Sequence, residues 1–90
     1  MRIINVLEVI NGIPSQIQSF PIYKEQLSQD VVDRAEKLFL ELIEKNKEPL
    51  RMRGLSEEDI EDITEFYLDE GVYDDKNGYE VYIIWSEVNE

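Results

Sequence analysis

The sequence predicts an α+β fold of ββααβ order, in which a three-stranded, mostly antiparallel sheet carries two helices on one face. Three observations lead there. Residues 3–10 are β-branched and apolar and run into Asn11-Gly12. Residues 28–45 repeat apolar side chains at helical spacing. Residues 79–88 are again aromatic and β-branched. At 90 residues the chain is expected to be a single small domain, residues 1–90, with a modest core.

Asn11-Gly12 is a strong hairpin signal, because a type I′ turn needs positive φ at both central residues. The second strand then covers about residues 13–22. Pro14 and Pro21 cannot donate to a ladder, so this strand belongs at an edge or is short, and the first strand is placed in the middle. Ser28 opens the first helix. Val31, Val32, Ala35, Leu38, Phe39, Leu42 and Ile43 form its apolar face. The pairs Asp30–Arg34, Asp33–Lys37 and Glu41–Lys45 support its outer side, and Pro49 marks its end. Residues 50–54 read as a linker with a small basic spot, Arg51 and Arg53.

Ser56 is the expected N-cap of the second helix, with Asp59 at N3 as a short-armed capping box. Leu55 and Ile60 are placed for a hydrophobic staple. Glu57, Glu58 and Asp59 suit the positive end of the helix dipole. Ile60, Ile63, Thr64 and Tyr67 share the inner face, and Gly71 is the natural residue to end this helix. Residues 74–78 (Asp-Asp-Lys-Asn-Gly) are a turn, and the last strand follows.

Charge is distributed unevenly. Residues 1–55 hold eight basic and eight acidic side chains, whereas residues 56–90 hold thirteen acids and one base, Lys76. The net charge of −12 therefore lies wholly in the second part. Such a field repels phosphate backbones, so direct nucleic-acid binding is not expected, while a basic protein partner is attracted. No run approaches a membrane span, and no signal peptide is legible at the N-terminus. A soluble, cytoplasmic protein is the expectation.

The chain has no His and no Cys. Ser-His-Asp and Cys-His catalysis and the usual zinc sites are therefore absent. The four glycines stand well apart and make no phosphate loop. Placing Gly78 at position 6 of a calcium loop puts Tyr73 and Ile84 at ligand positions they cannot serve, so the segment reads as a polar turn. Neither an enzyme nor a cofactor is expected.

Two surfaces remain as candidates. On a continuous second helix, Glu58, Asp62, Glu65 and Asp69 fall within about 60° of one another. Glu61 flanks them, and Phe66 sits at the edge of the stripe. Several of these acids are like charges at i,i+4, each pair costing about 0.2–0.5 kcal/mol in a helix. Solvation alone accounts for such a stripe; its functional reading is a surface for a basic partner. The second surface is the sheet. The first and last strands are apolar on both faces, and two helices cover only one. Ile3, Leu7, Tyr82 and Ile84 are then left as an apolar, aromatic patch, the kind that marks an interface. The expected function is a non-enzymatic protein-binding module that dimerises through its sheet. The alternative is a nucleic-acid mimic of phage or mobile-element type that inhibits a DNA- or RNA-binding protein such as a nuclease. A carboxylate-based small enzyme or ligand binder is a third possibility.

Overall fold

The computed structural model describes residues 1–88; Glu90, one of the thirteen acids, lies outside them. Seven elements occur where five were expected: β1 (Arg2–Ile10), β2 (Ile13–Ile22), α1 (Ser28–Met52), α2 (Glu57–Ile63), β3 (Glu65–Tyr67), β4 (Val72–Asp74) and β5 (Tyr79–Glu87). The fold is α+β, but the order is ββααβββ, and the sheet has five strands in the order β2-β1-β5-β4-β3. Every neighbouring pair is antiparallel. As expected, β2 is an edge and β1 lies inside, between β2 and β5.

The hairpin turn has the backbone its sequence requires, with φ of 52° at Asn11 and 81° at Gly12. A register shift opposite Val6/Leu7 places a bulge in β2, so Gln18 faces Val6 and Gln16 faces Leu7. With its two prolines, this edge is poorly suited to pairing with another strand.

The first helix runs past Pro49 to Met52. Its true stop is Gly54, at φ 90°. Gly54 N–H donates to Arg51 O at 2.9 Å and Leu55 N–H to Leu50 O at 3.3 Å. These are the two bonds of a Schellman cap, so Pro49 is absorbed in the last turns of the helix. The helix opens at Ser28 as expected, and the N-cap residue before it, Leu27, makes no side-chain cap bond. Arg51 then ties the helices together. Its guanidinium reaches Glu44 at 2.7 Å and Glu57 at 2.5 Å, so the Arg51 half of the expected basic spot is already paired. Hydrogen bonding to Arg51 holds both carboxyls below their ordinary range.

The second helix starts as predicted. Asp59 N–H donates to Ser56 Oγ at 3.1 Å, and Ser56 N–H donates to Asp59 Oδ2 at 3.2 Å. It ends at Ile63, eight residues before Gly71. Thr64 is extended (φ −115°, ψ 160°), and its hydroxyl donates to Ile60 O at 2.8 Å. The break removes the like-charge pairs Glu61/Glu65 and Glu65/Asp69, which a helix would have forced together. Glu65 instead meets Lys76 Nζ at 3.0 Å. Gly71 closes the β3–β4 turn rather than a helix.

The core is one layer thick. Ile4, Val6, Phe20, Tyr73 and Val81 of the sheet meet Val31, Ala35, Phe39 and Ile43 of α1. Val32, Leu38 and Leu42 pack at its margin. Side chains of this size each contribute about 1.5–3 kcal/mol when fully buried. Ten apolar residues are buried, yet fifteen large apolar ones are exposed among the described residues, so the interior does not use up the apolar surface available. Two further quantities agree. The radius of gyration is 14.6 Å, against about 12 Å for a compact chain of this length. The accessible surface is 6246 Å², against about 5,500 Å² for a monomer of this mass.

Candidate functional site

The register decides which side chains share a face. On β1, Ile4 and Val6 point to α1, so Ile3, Asn5, Leu7 and Val9 lie on the opposite side. Ile84 pairs with Asn5 and Tyr82 with Leu7. Of the four residues expected to form the patch, Leu7, Tyr82 and Ile84 are therefore adjacent on the uncovered face, while Ile3 lies opposite Ser86 near the strand end, with Asn5 between it and Leu7. Ile84 is 45% exposed; the other three are partly buried. Val72 lies beside Tyr82 and extends the patch to β4.

The open face has two unlike halves. β2 contains no charged residue, and the only charged residues of β1, Arg2 and Glu8, point to the helix side. Arg2 stacks over the Trp85 ring at 4.4 Å, and Glu8 accepts from Tyr79 Oη at 2.5 Å. The β2–β1 half is thus free of charge. Its polar groups bond among themselves. Ser19 Oγ donates to Asn5 Oδ1 at 2.8 Å, and Asn5 Nδ2 donates to Ser86 Oγ at 3.0 Å. Gln16 Nε2 donates to Asn5 Oδ1 and to Ser19 Oγ. The other half carries Glu80, Asp74 and Glu65, with Lys76 bound to the last two. Tyr82 Oη donates to Glu80 Oε1 at 2.6 Å, and that bond raises the Tyr82 hydroxyl to about 12.

The acidic candidates do not form one stripe. Glu58, Glu61 and Asp62 are exposed on α2, Glu65 is in β3, and Asp69 is in the β3–β4 turn. Phe66 is not at the edge of an acidic helix face. It points to the helix side of β3, stacked on Phe39 at 6.1 Å and edge-on to Tyr73 at 6.4 Å, with 41% of its surface exposed. Phe66 thus closes the rim of the core.

Two arrangements escaped the sequence. Asn46 of α1 donates to Tyr73 Oη and to Asp75 Oδ2, each at 3.2 Å. Asp75 also accepts from Asn77 N–H and Tyr79 N–H, so one carboxylate fastens the β4–β5 turn to α1. Burial raises the Tyr73 hydroxyl above its ordinary value. The second arrangement is a groove of about 140 Å³ on the helix side, where the β3–β4 turn passes α1. No periodicity in the sequence joins those segments; only the pairing of β4 with β5 does. Among the described residues, no group of three or more carboxylates is placed to hold a metal ion, and no helix is long and apolar enough to cross a membrane. No protein-family model, curated protein or solved structure matches the chain.

Proposed function

We propose that this chain is a non-enzymatic protein-binding module that pairs with a second copy of itself through the open face of its sheet, and that offers its acidic C-terminal part to a basic protein. The observation that carries the reading is the uncharged β2–β1 half of that face, whose polar groups Asn5, Ser19 and Gln16 satisfy one another, beside the apolar strip of Leu7, Tyr82 and Ile84. Surfaces that stay in water are rarely without charge over two strands, whereas the centres of interfaces are depleted of it. A second copy is the occupant that fits best. Rotation about an axis along the strands lays the acidic β3–β4 side of each copy over the uncharged β2 side of the other. The central apolar strips then face each other, as in an aligned two-sheet sandwich. The edges of the sheet offer less, with prolines and a bulge in β2 and only three residues in β3.

Phosphate-backbone mimicry asks for a regular row of charges, and the end of α2 at Ile63 divides that row between a helix, a strand and a turn. The acids are better suited to a local basic contact than to the groove of a nuclease.

Sedimentation velocity across a concentration series tests the pairing. A dimer is expected at tens of micromolar, and Ile84→Lys is expected to leave a folded monomer. Because each copy carries the full acidic charge, added salt strengthens the dimer by screening repulsion. A strict monomer at several hundred micromolar in 0.5 M salt sinks the proposal.

A further inference from the structure

We infer that the groove between α1 and the β3–β4 turn is a docking point for one large apolar side chain of a basic peptide segment. This rests on the reading of the acidic part as a surface for a basic partner, and not on self-association, since the groove lies on the helix side of the sheet.

Its construction is apolar beneath and acidic above. Ile4, Ala35 and Ile83 form the floor, and Val32, Leu68 and Trp85 form the walls. Ala35, the smallest side chain on the buried face of α1, lines the groove. The turn is held firmly over the sheet. Gly71 N–H donates to Leu68 O at 3.0 Å, and Ile83 N–H donates to Gly71 O at 2.8 Å. Gly71 has φ 65°, and a Cβ there would stand 2.7 Å from Ile83 Cβ. Only glycine lets the turn approach this closely, so the wall is a fixed feature.

Size limits the ligand. Cofactor and drug-sized pockets span about 300–1,000 Å³, whereas a dry cavity of about 150 Å³ admits a benzene ring. A groove of 140 Å³ takes one Leu, Met or Phe side chain. Charge sets what flanks it. Glu36, Asp69 and Glu70 stand at the rim, and none of them makes an ion pair among the described residues. Arg2 does not line the groove but stacks on its Trp85 wall at 4.4 Å. A free apolar ligand would gain nothing from three carboxylates. An apolar residue between lysines or arginines meets both the floor and the rim.

Trp85 is the only tryptophan and lines the groove, so its fluorescence reports occupancy directly. The probes are two amidated, acetylated peptides without aromatics, Lys-Arg-Lys-Leu-Lys-Arg-Lys and the same peptide with Ala replacing Leu. The Leu peptide is expected to shift Trp85 emission and to bind about tenfold or more tighter than the Ala peptide. Val32→Phe, which fills the groove, should abolish that preference. Asp69→Lys with Glu70→Lys, both exposed, should weaken the Leu peptide about tenfold at low salt and keep the native circular dichroism. Equal binding of the two peptides overturns the groove as a docking point while leaving a general attraction for basic partners in place. If neither peptide binds, the reading of the acidic part as a partner surface is lost as well.

Discussion

The two faces of the sheet are made of similar residues and meet different fates. Alternate positions of β1 send Ile4 and Val6 beneath α1 and send Ile3 and Leu7 to the open side. On the helix side, Phe39, Tyr73 and Phe66 complete a stacked, closed core. On the open side, aliphatic and aromatic groups end in a shallow strip with a small hydrogen-bonded cluster around Asn5. The difference teaches that hydropathy alone does not define a core. What defines it is the presence of a second layer, and this chain supplies only one.

The largest test of that contrast is Phe39→Ala. Phe39 is fully buried, and its loss should cost about 3–5 kcal/mol and leave little folded protein at room temperature. Urea titration gives the value; a cost under about 1 kcal/mol would mean that the helix side is no better packed than the open side. A smaller effect is expected for Ile3→Ala. In dilute, monomeric protein it should cost below about 1 kcal/mol, as for other partly exposed sites. At high concentration the loss of Tm should grow, because the same side chain then leaves a buried interface. A concentration-independent loss would detach Ile3 from any interface.

The smallest effect is spectroscopic and separates the faces by cause. On the helix side, burial first, and then hydrogen bonding to Glu8, raises Tyr79; burial alone is the leading cause at Tyr73. On the open side, the hydrogen bond to Glu80 is the leading cause at Tyr82. All three are raised in the folded state, so their stabilising contribution is complete below the unfolded value of about 10. It is lost as pH rises through the folded values, near 12 for Tyr82. Glu80→Gln should return Tyr82 toward its ordinary value and leave Tyr73 raised, as read by tyrosinate absorbance. A Tyr82 that stays raised in Glu80→Gln would show that burial, not the carboxylate, governs the open face too.

Much of this was legible in the sequence where local chemistry and tertiary fold agree. Asn11-Gly12 dictated its hairpin, the spacing of Val31, Ala35, Phe39 and Ile43 dictated the buried stripe of α1, and Ser56 with Asp59 fixed where α2 begins. The open-face patch was also legible, because strands apolar on both sides outnumbered the layers available. The segment 64–74 was not. Ile60, Ile63, Thr64 and Tyr67 repeat at helical spacing, and the capping box makes a long helix plausible. Against it stood Thr64, Phe66 and Tyr67, which favour strands, and the repulsion Glu65 would meet in a helix. Those terms are individually small, and the decision fell to the pairing of β4 with β5, a contact that local spacing does not encode. Likewise Pro49 read as a stop because its own geometry disfavours helix, while the actual stop depended on Gly54 and Leu55 bonding back to Arg51 and Leu50. The groove followed from the same missed turn.

The pairing of β1 with β5 joins Arg2 to Glu87, and Met1 N donates to Val88 O at 3.0 Å across the same seam. On the ribosome, β1 must therefore wait for β5. Until β5 emerges, β1 has one neighbour instead of two, and α1 has an incomplete floor to rest on. The hairpin and α1 form from local contacts, but closure needs almost the whole chain. During that interval both faces of the hairpin are open at once, and the prolines and bulge protect only its β2 edge, while the β1 edge that β5 will take stands unprotected.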